Sequence, residues 1–150
     1  MSNSTKITTK WNGTEVKILG KKVISDSTYK IGLVVEGKAK ELAARRYGYL
    51  AASINTQSKD KGDNIEDPGN YAKEIPPSYH KVDSFRNISK PDEENTTYVG
   101  TAVDYAPYQE FGTARMNAQP FLRPALDLAK GESLTIVEVE GKKTFKDYLK

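Results

Sequence analysis

SDSTYKIGLVVEGKAKELAA, residues 25–44, is the stretch on which the fold class turns. Ile31, Val34, Val35, Ala39, Leu42 and Ala43 recur at helical spacing and make one apolar stripe. Lys30, Glu36, Lys38, Lys40 and Glu41 lie mostly off that stripe. Ser25, Asp26 and Ser27 are good N-cap residues, so the spacing predicts one long helix opening there. Gly32 and Gly37 weaken such a helix by about 1 kcal/mol each relative to alanine. Close approach of a neighbouring element would account for them, and so would simple tolerance. Beyond Arg45-Arg46-Tyr47-Gly48 the pattern resumes at residues 49–54 as a short helical turn or the start of a strand.

Outward from this helix the periodicity changes. Ile7, Thr9 and Trp11 alternate before Asn12-Gly13, and Thr14, Val16 and Ile18 alternate after it. Asn-Gly suits a type I′ turn, so residues 6–19 read as a β-hairpin. Residues 96–103 carry Thr97, Val99, Thr101 and Val103 on one strand face. Residues 107–111 read as a helical turn, and 120–130 as a helix with Pro124 in its first turn. Residues 133–139, SLTIVEV, read as a strand, after which Gly141 turns the chain into a lysine-rich tail. The sum is an α+β domain: a small, mainly antiparallel sheet packed against one long helix.

Residues 59–94 break this economy. Gly62, Pro68, Gly69, Pro76, Pro77 and Pro91 stand among many charges, in a loop long for a compact domain. Yet Tyr71, Ile75, Tyr79, Val82, Phe85 and Ile88 are too many large apolar groups for a linker. The segment reads as a long extended loop arm, ordered when it lies on a partner and inserted in a single domain spanning residues 1–150.

The zero cysteine count excludes disulfides and thiolate chemistry. Residues 1–13 show no apolar core of a secretion signal, and no apolar run reaches membrane-spanning length, so no membrane partner is expected. The lone histidine, His80, falls in the polar arm, where a solvated side chain is the ordinary outcome. No nucleotide-binding, zinc-protease or nucleophile-elbow motif is present. The carboxylates Asp63, Glu66 and Asp67, like Asp92, Glu93 and Glu94, lack the spacing of a calcium loop. The expectation is a protein without catalysis, cofactor or metal.

Net charge is +3, but residues 1–50 hold ten Lys/Arg against four Asp/Glu. Lys17, Lys21, Lys22, Arg45, Arg46, Tyr47 and Tyr49 place cations beside aromatics, a composition suited to a nucleic-acid surface. A nucleic-acid-binding accessory protein is therefore the alternative reading. A solvated helix face is the bland explanation of the same residues.

Tyr105, Tyr108 and Phe111 sit three apart and would share one face of a helical turn, which Gly112 would end. Residues 120–124, PFLRP, then set Phe121 and Arg123 at a rigid helix start. Aromatics and arginine dominate interface hot spots, although the same aromatics also suit a monomer's own core.

These residues carry a resemblance. YAPYQEFGT (105–113) followed by AQPFLRPA (118–125) resembles the gene-product-ten family of the Hong Kong phage, tail-component or head–tail joining proteins of tailed phages. Its pattern is a YA…YxEFGT turn, a short variable loop, then PxPFLRPA-like residues. Ala43, Ala44, Gly48, Leu50, Ser53 and Ile54 follow its upstream AP…TG.L..SI segment more loosely. Ala44 stands in place of the usual proline, and Tyr47 in place of threonine. The likeness covers residues 96–127 well and 25–58 loosely. The arm is longer than usual, and a C-terminal strand stands where many members have a longer helix.

The resemblance implies a structural virion protein of a siphophage or prophage, assembled in the host cytoplasm and located at the head–tail junction. It would complete the tail end or join tail to head, as a ring around the DNA channel, in the hexameric manner of related neck proteins. Its partners would be copies of itself, the tail tube protein and a head-completion (stopper) protein. Tyr105, Tyr108, Glu110, Phe111, Gly112, Phe121 and Arg123 would then build core and subunit seam, with Arg123 paired to Glu110 or Asp104. Tyr71, Tyr79 and Phe85 of the arm would lie on a neighbour. Arg45, Arg46, Lys21 and Lys22 would face the channel and touch passing DNA transiently.

Overall fold

The computed structural model describes residues 12–44, 48–62 and 87–148. It has the expected α+β architecture. In chain order the elements are α1 (Gly13–Leu42), α2 (Tyr49–Ser53), β1 (Asn55–Ser58), β2 (Thr97–Gly100), α3 (Ala106–Phe111) and α4 (Leu122–Tyr148). β1 and β2 form an antiparallel pair in the register Asn55↔Gly100, Thr56↔Val99, Gln57↔Tyr98 and Ser58↔Thr97. α1 packs on both strands and, along much of its length, on α4.

Gly32 is where α1 crosses the sheet. A methyl group there would lie 2.7 Å from Thr97 Cγ2 and 2.8 Å from Thr56 Cγ2. Close approach therefore explains this glycine. At Gly37 a methyl group would meet nothing within 4 Å, so tolerance explains that one.

The core gathers Val35, Ala39 and Ala43 of the predicted stripe with Leu50, Ile54, Val103, Ala106, Phe121, Ala125 and Ala129. Ile31 and Val34 pack at its margin, whereas Leu42 is exposed. Alanines on both long helices let the backbones come close, and Phe121, fully buried, fills the space at α4's start. β1 is buried along its whole length despite its polar sequence. Two of its side chains bond inward: Asn55 Nδ2 donates to the Ser53 carbonyl at 3.1 Å, and Gln57 Nε2 to Asn55 Oδ1 at 3.3 Å. The buried Thr56 hydroxyl has no hydrogen-bond partner among the described residues. Ser53 Oγ and Thr101 Oγ1 lie 2.6 Å apart, joining the ends of the two strands.

Three expectations are corrected. The hairpin over residues 6–19 fails in its second half, because α1 runs through residues 13–19; residues 6–11 lie outside those described. Val16 N–H donates to the Asn12 carbonyl at 3.1 Å, a helical bond in place of a turn. α1 accordingly begins well before Ser25, and the supposed caps are interior. Ser27 is buried, Asp26 pairs with Lys61, and Thr28 Oγ1 donates back to the Ile24 carbonyl at 2.7 Å.

The strand over residues 133–139 and the turn at Gly141 are also absent, since α4 continues to Tyr148. Polar contacts across the helix pair favour the helix over the alternation of Leu134, Ile136 and their neighbours. Lys38 pairs with Glu132 at 2.8 Å, Lys30 with the buried Glu140, and Tyr148 Oη donates to Glu15 Oε2 at 2.7 Å. Of the strand expected over residues 96–103, residues 97–100 pair; Thr101 then turns inward and Val103 enters the core.

Candidate subunit interface

α3 is a short helix whose first turn holds Pro107, where a missing N–H costs nothing. Tyr105 precedes it, half-buried, and burial pushes its phenol above the ordinary value. Tyr108 and Phe111, one turn apart, point out: they are 58% and 63% exposed. Gly112 ends the helix at φ 75°, its N–H donating to the Tyr108 carbonyl at 2.9 Å. A methyl group there would come within 2.8 Å of Ala118 N and Met116 O, so residue 112 is held to glycine by conformation and by space.

The loop that follows is tied at several points. Thr113 N–H donates to the Met116 carbonyl at 2.9 Å, Arg115 N–H to Thr113 Oγ1 at 3.2 Å, and Gln119 N–H to the Gln109 carbonyl at 2.8 Å. Arg115 stands exposed in this loop.

Glu110 is the hinge of the arrangement. It is only 7% exposed, and its carboxylate accepts three backbone N–H groups at the start of α4. Phe121 N and Leu122 N reach Oε2 at 2.7 and 3.0 Å, and Arg123 N reaches Oε1 at 3.1 Å. Those are donors that a helix leaves unsatisfied, and a negative charge there also suits the helix dipole. Burial alone would raise the Glu110 carboxyl. The three backbone hydrogen bonds and the positive charge of Arg123 outweigh it and hold the group below its ordinary value. A side chain of α3 thus caps α4 and fixes the angle between them.

The expected ion pair of Arg123 with Glu110 or Asp104 does not form: Glu110 instead accepts the Arg123 main-chain N–H. The guanidinium itself lies over the Phe111 ring, 5.1 Å from its centroid. Tyr108, Phe111, Arg123 and, one turn along α4, the half-exposed Leu126 present aromatic, cationic and aliphatic surface from two elements in fixed orientation. Phe121, by contrast, belongs wholly to the core. Of the expected seam, then, Tyr108, Phe111 and Arg123 face outward, Tyr105 is half covered, and Glu110 and Gly112 shape the backbone that presents them.

Tyr71, Tyr79 and Phe85 of the arm, and Arg45 and Arg46, lie outside the described residues. The ends of the arm are anchored: Ser58 N–H donates to the Lys61 carbonyl at 2.7 Å, and Ile88 N–H to Asn55 Oδ1 at 3.2 Å. Lys21 and Lys22 are exposed beside a polar cleft of about 300 Å³ between α1, the turn after β1 and residues 94–96. Charge in that cleft is largely matched, with Lys21 on Glu94 at 3.5 Å and Lys61 on Asp26. Among the described residues no group of three or more His, Cys, Asp or Glu side chains is placed to hold a metal ion. Among them, too, no helix is long and apolar enough to cross a membrane.

No protein-family model matches the chain, and no curated protein or solved structure shows significant similarity to it.

Proposed function

We propose that this protein is a structural subunit of a tailed-phage virion that completes the tail end or joins tail to head, acting as a ring without catalysis. The observation that carries the reading is the Tyr108–Phe111–Arg123 surface: large side chains, well exposed, on a junction locked by Glu110 and Gly112. Fixed aromatics and arginine bind at low entropic cost, which suits a seam between copies. In a ring each subunit uses two different surfaces, and this patch is one of them. The resemblance in residues 105–125 supports the same reading. So does α4, a long C-terminal helix of the kind that many members of that family have.

Two experiments test it. Electron microscopy of lysates from the parent phage with this gene disabled should show DNA-filled heads beside unattached tails. Overlong tails would specify a terminator, and normal infectious particles would overturn the reading. Arg123→Ala should lower assembly into rings while leaving thermal unfolding of the isolated subunit nearly unchanged. An equal loss of subunit stability would assign Arg123 to the fold instead.

A further inference from the structure

α1 and α4 run antiparallel, so the start of one lies beside the end of the other. The contact is explicit: Tyr148 Oη donates to Glu15 Oε2 at 2.7 Å, and Asn12 Nδ2 donates to Tyr148 Oη at 3.1 Å. Two lysine groups more than a hundred residues apart in sequence therefore come to one end of the molecule. Residues 12–22 and 138–148 together hold six lysines, four carboxylates and no arginine. One of those carboxylates, Glu140, is buried and held by Lys30 from outside the group.

We propose that this end is a binding surface for the backbone of duplex DNA, formed by Lys17, Lys21 and Lys22 of α1 with Lys142, Lys143 and Lys146 of α4. All six are exposed. Two of them make surface ion pairs, Lys21 with Glu94 and Lys142 with Glu138, with lysine side chains still 59% and 75% exposed. Such pairs contribute little and exchange readily for a phosphate. Lysine is a flexible point charge without the planar fork of arginine, so it neutralises phosphate without reading bases.

Other polyanions fit less well. A membrane-surface helix segregates its charged face from a continuous apolar one. Here lysines and apolar residues interleave around both helices, as in Lys17-Ile18, Lys21-Lys22-Val23 and Phe145-Lys146. Single strands call for exposed stacking rings. At this end Phe145 is only 36% exposed and Tyr148 is tied down through its hydroxyl. The most exposed rings among the described residues, Tyr108 and Phe111, stand near the opposite end of α4, so among those residues no row of stacking rings accompanies the lysines. The inference concerns the isolated chain and does not depend on the virion reading.

The test is fluorescence anisotropy of a short labelled duplex of mixed sequence against the full chain across a salt series. The wild type should bind at low salt and weaken linearly in log affinity against log salt. Lys22→Gln with Lys143→Gln and Lys146→Gln should reduce that slope by roughly 0.9 per lost phosphate contact and weaken low-salt binding about tenfold or more. Arg115→Gln, at the other end, should leave both unchanged. Circular dichroism melting verifies the fold, and the milder Lys143→Gln, Lys146→Gln pair serves if the triple variant unfolds. An unchanged slope in the variants, no duplex binding by the wild type at low salt, or tighter binding to phosphatidylserine vesicles than to duplex would each overturn the proposal.

Discussion

The two halves of α4 are held by different physics. Its first half enters the core: Phe121 just before it and Ala125 and Ala129 within it are almost fully buried, and Glu110 caps its N-terminus from α3. Its second half lies along α1 with Leu134 80% and Val139 55% exposed, held by Glu140 on Lys30 and Tyr148 on Glu15. One continuous helix of 27 residues, about 40 Å long, thus joins a hydrophobic anchor to a polar extension. The difference teaches that helix length here is set by contacts with α1, while position in the fold is set by burial near residue 121.

That contrast can be broken at either end. Phe121→Ala should be the most damaging change, because it empties a filled site in the core; urea unfolding should show a loss of about 3–5 kcal/mol. A loss under 1 kcal/mol would mean the anchor lies elsewhere. Glu110→Gln keeps the shape but loses the charge and one of the two acceptor oxygens, and should cost about 1–3 kcal/mol at neutral pH.

The pH dependence sharpens this second case. The folded carboxyl of Glu110 is held below its ordinary value of 4.5, so its stabilisation is complete above that pH. It is lost as pH falls through the lower folded value. Unfolding titrations of wild type and Glu110→Gln should therefore run parallel near neutrality and converge in acid. A constant gap down to the acid limit would show that charge plays no part in the cap.

Tyr148→Phe should be the mildest change, below about 1 kcal/mol, since it removes hydrogen bonds at an exposed site. Its effect should be local. Amide exchange should quicken in the last turns of α4 and first turns of α1, with the core amides unaffected. Global acceleration would instead make the polar end as important as the apolar one.

How far the sequence could be read follows the same division. The stripe of Val35, Ala39 and Ala43 was legible because a core-facing helix must repeat at its own period, and the turn at residues 107–112 because proline and glycine mark it. The far ends of both long helices were not. There the apolar residues stay largely exposed, so alternation at Thr14, Val16 and Ile18 or at residues 133–139 carried no information about which face would be covered. The capping role of Glu110 had a faint signal: Gln119-Pro120-Phe121 offers none of the usual capping side chains before α4, so a cap had to come from elsewhere in the chain.

The sequence by itself determined the α+β class, the long first helix and the rigid aromatic turn, since each follows from local periodicity or backbone chemistry. That Gly32 meets the sheet was decided by the tertiary structure. Only the tertiary structure decided that Glu110 would cap a helix eleven residues on, that Phe111 would lie beneath Arg123, and that lysines from both ends of the chain would meet. Those outcomes depend on which groups are brought near one another, and pairing across long separations leaves no periodic trace in the residues themselves.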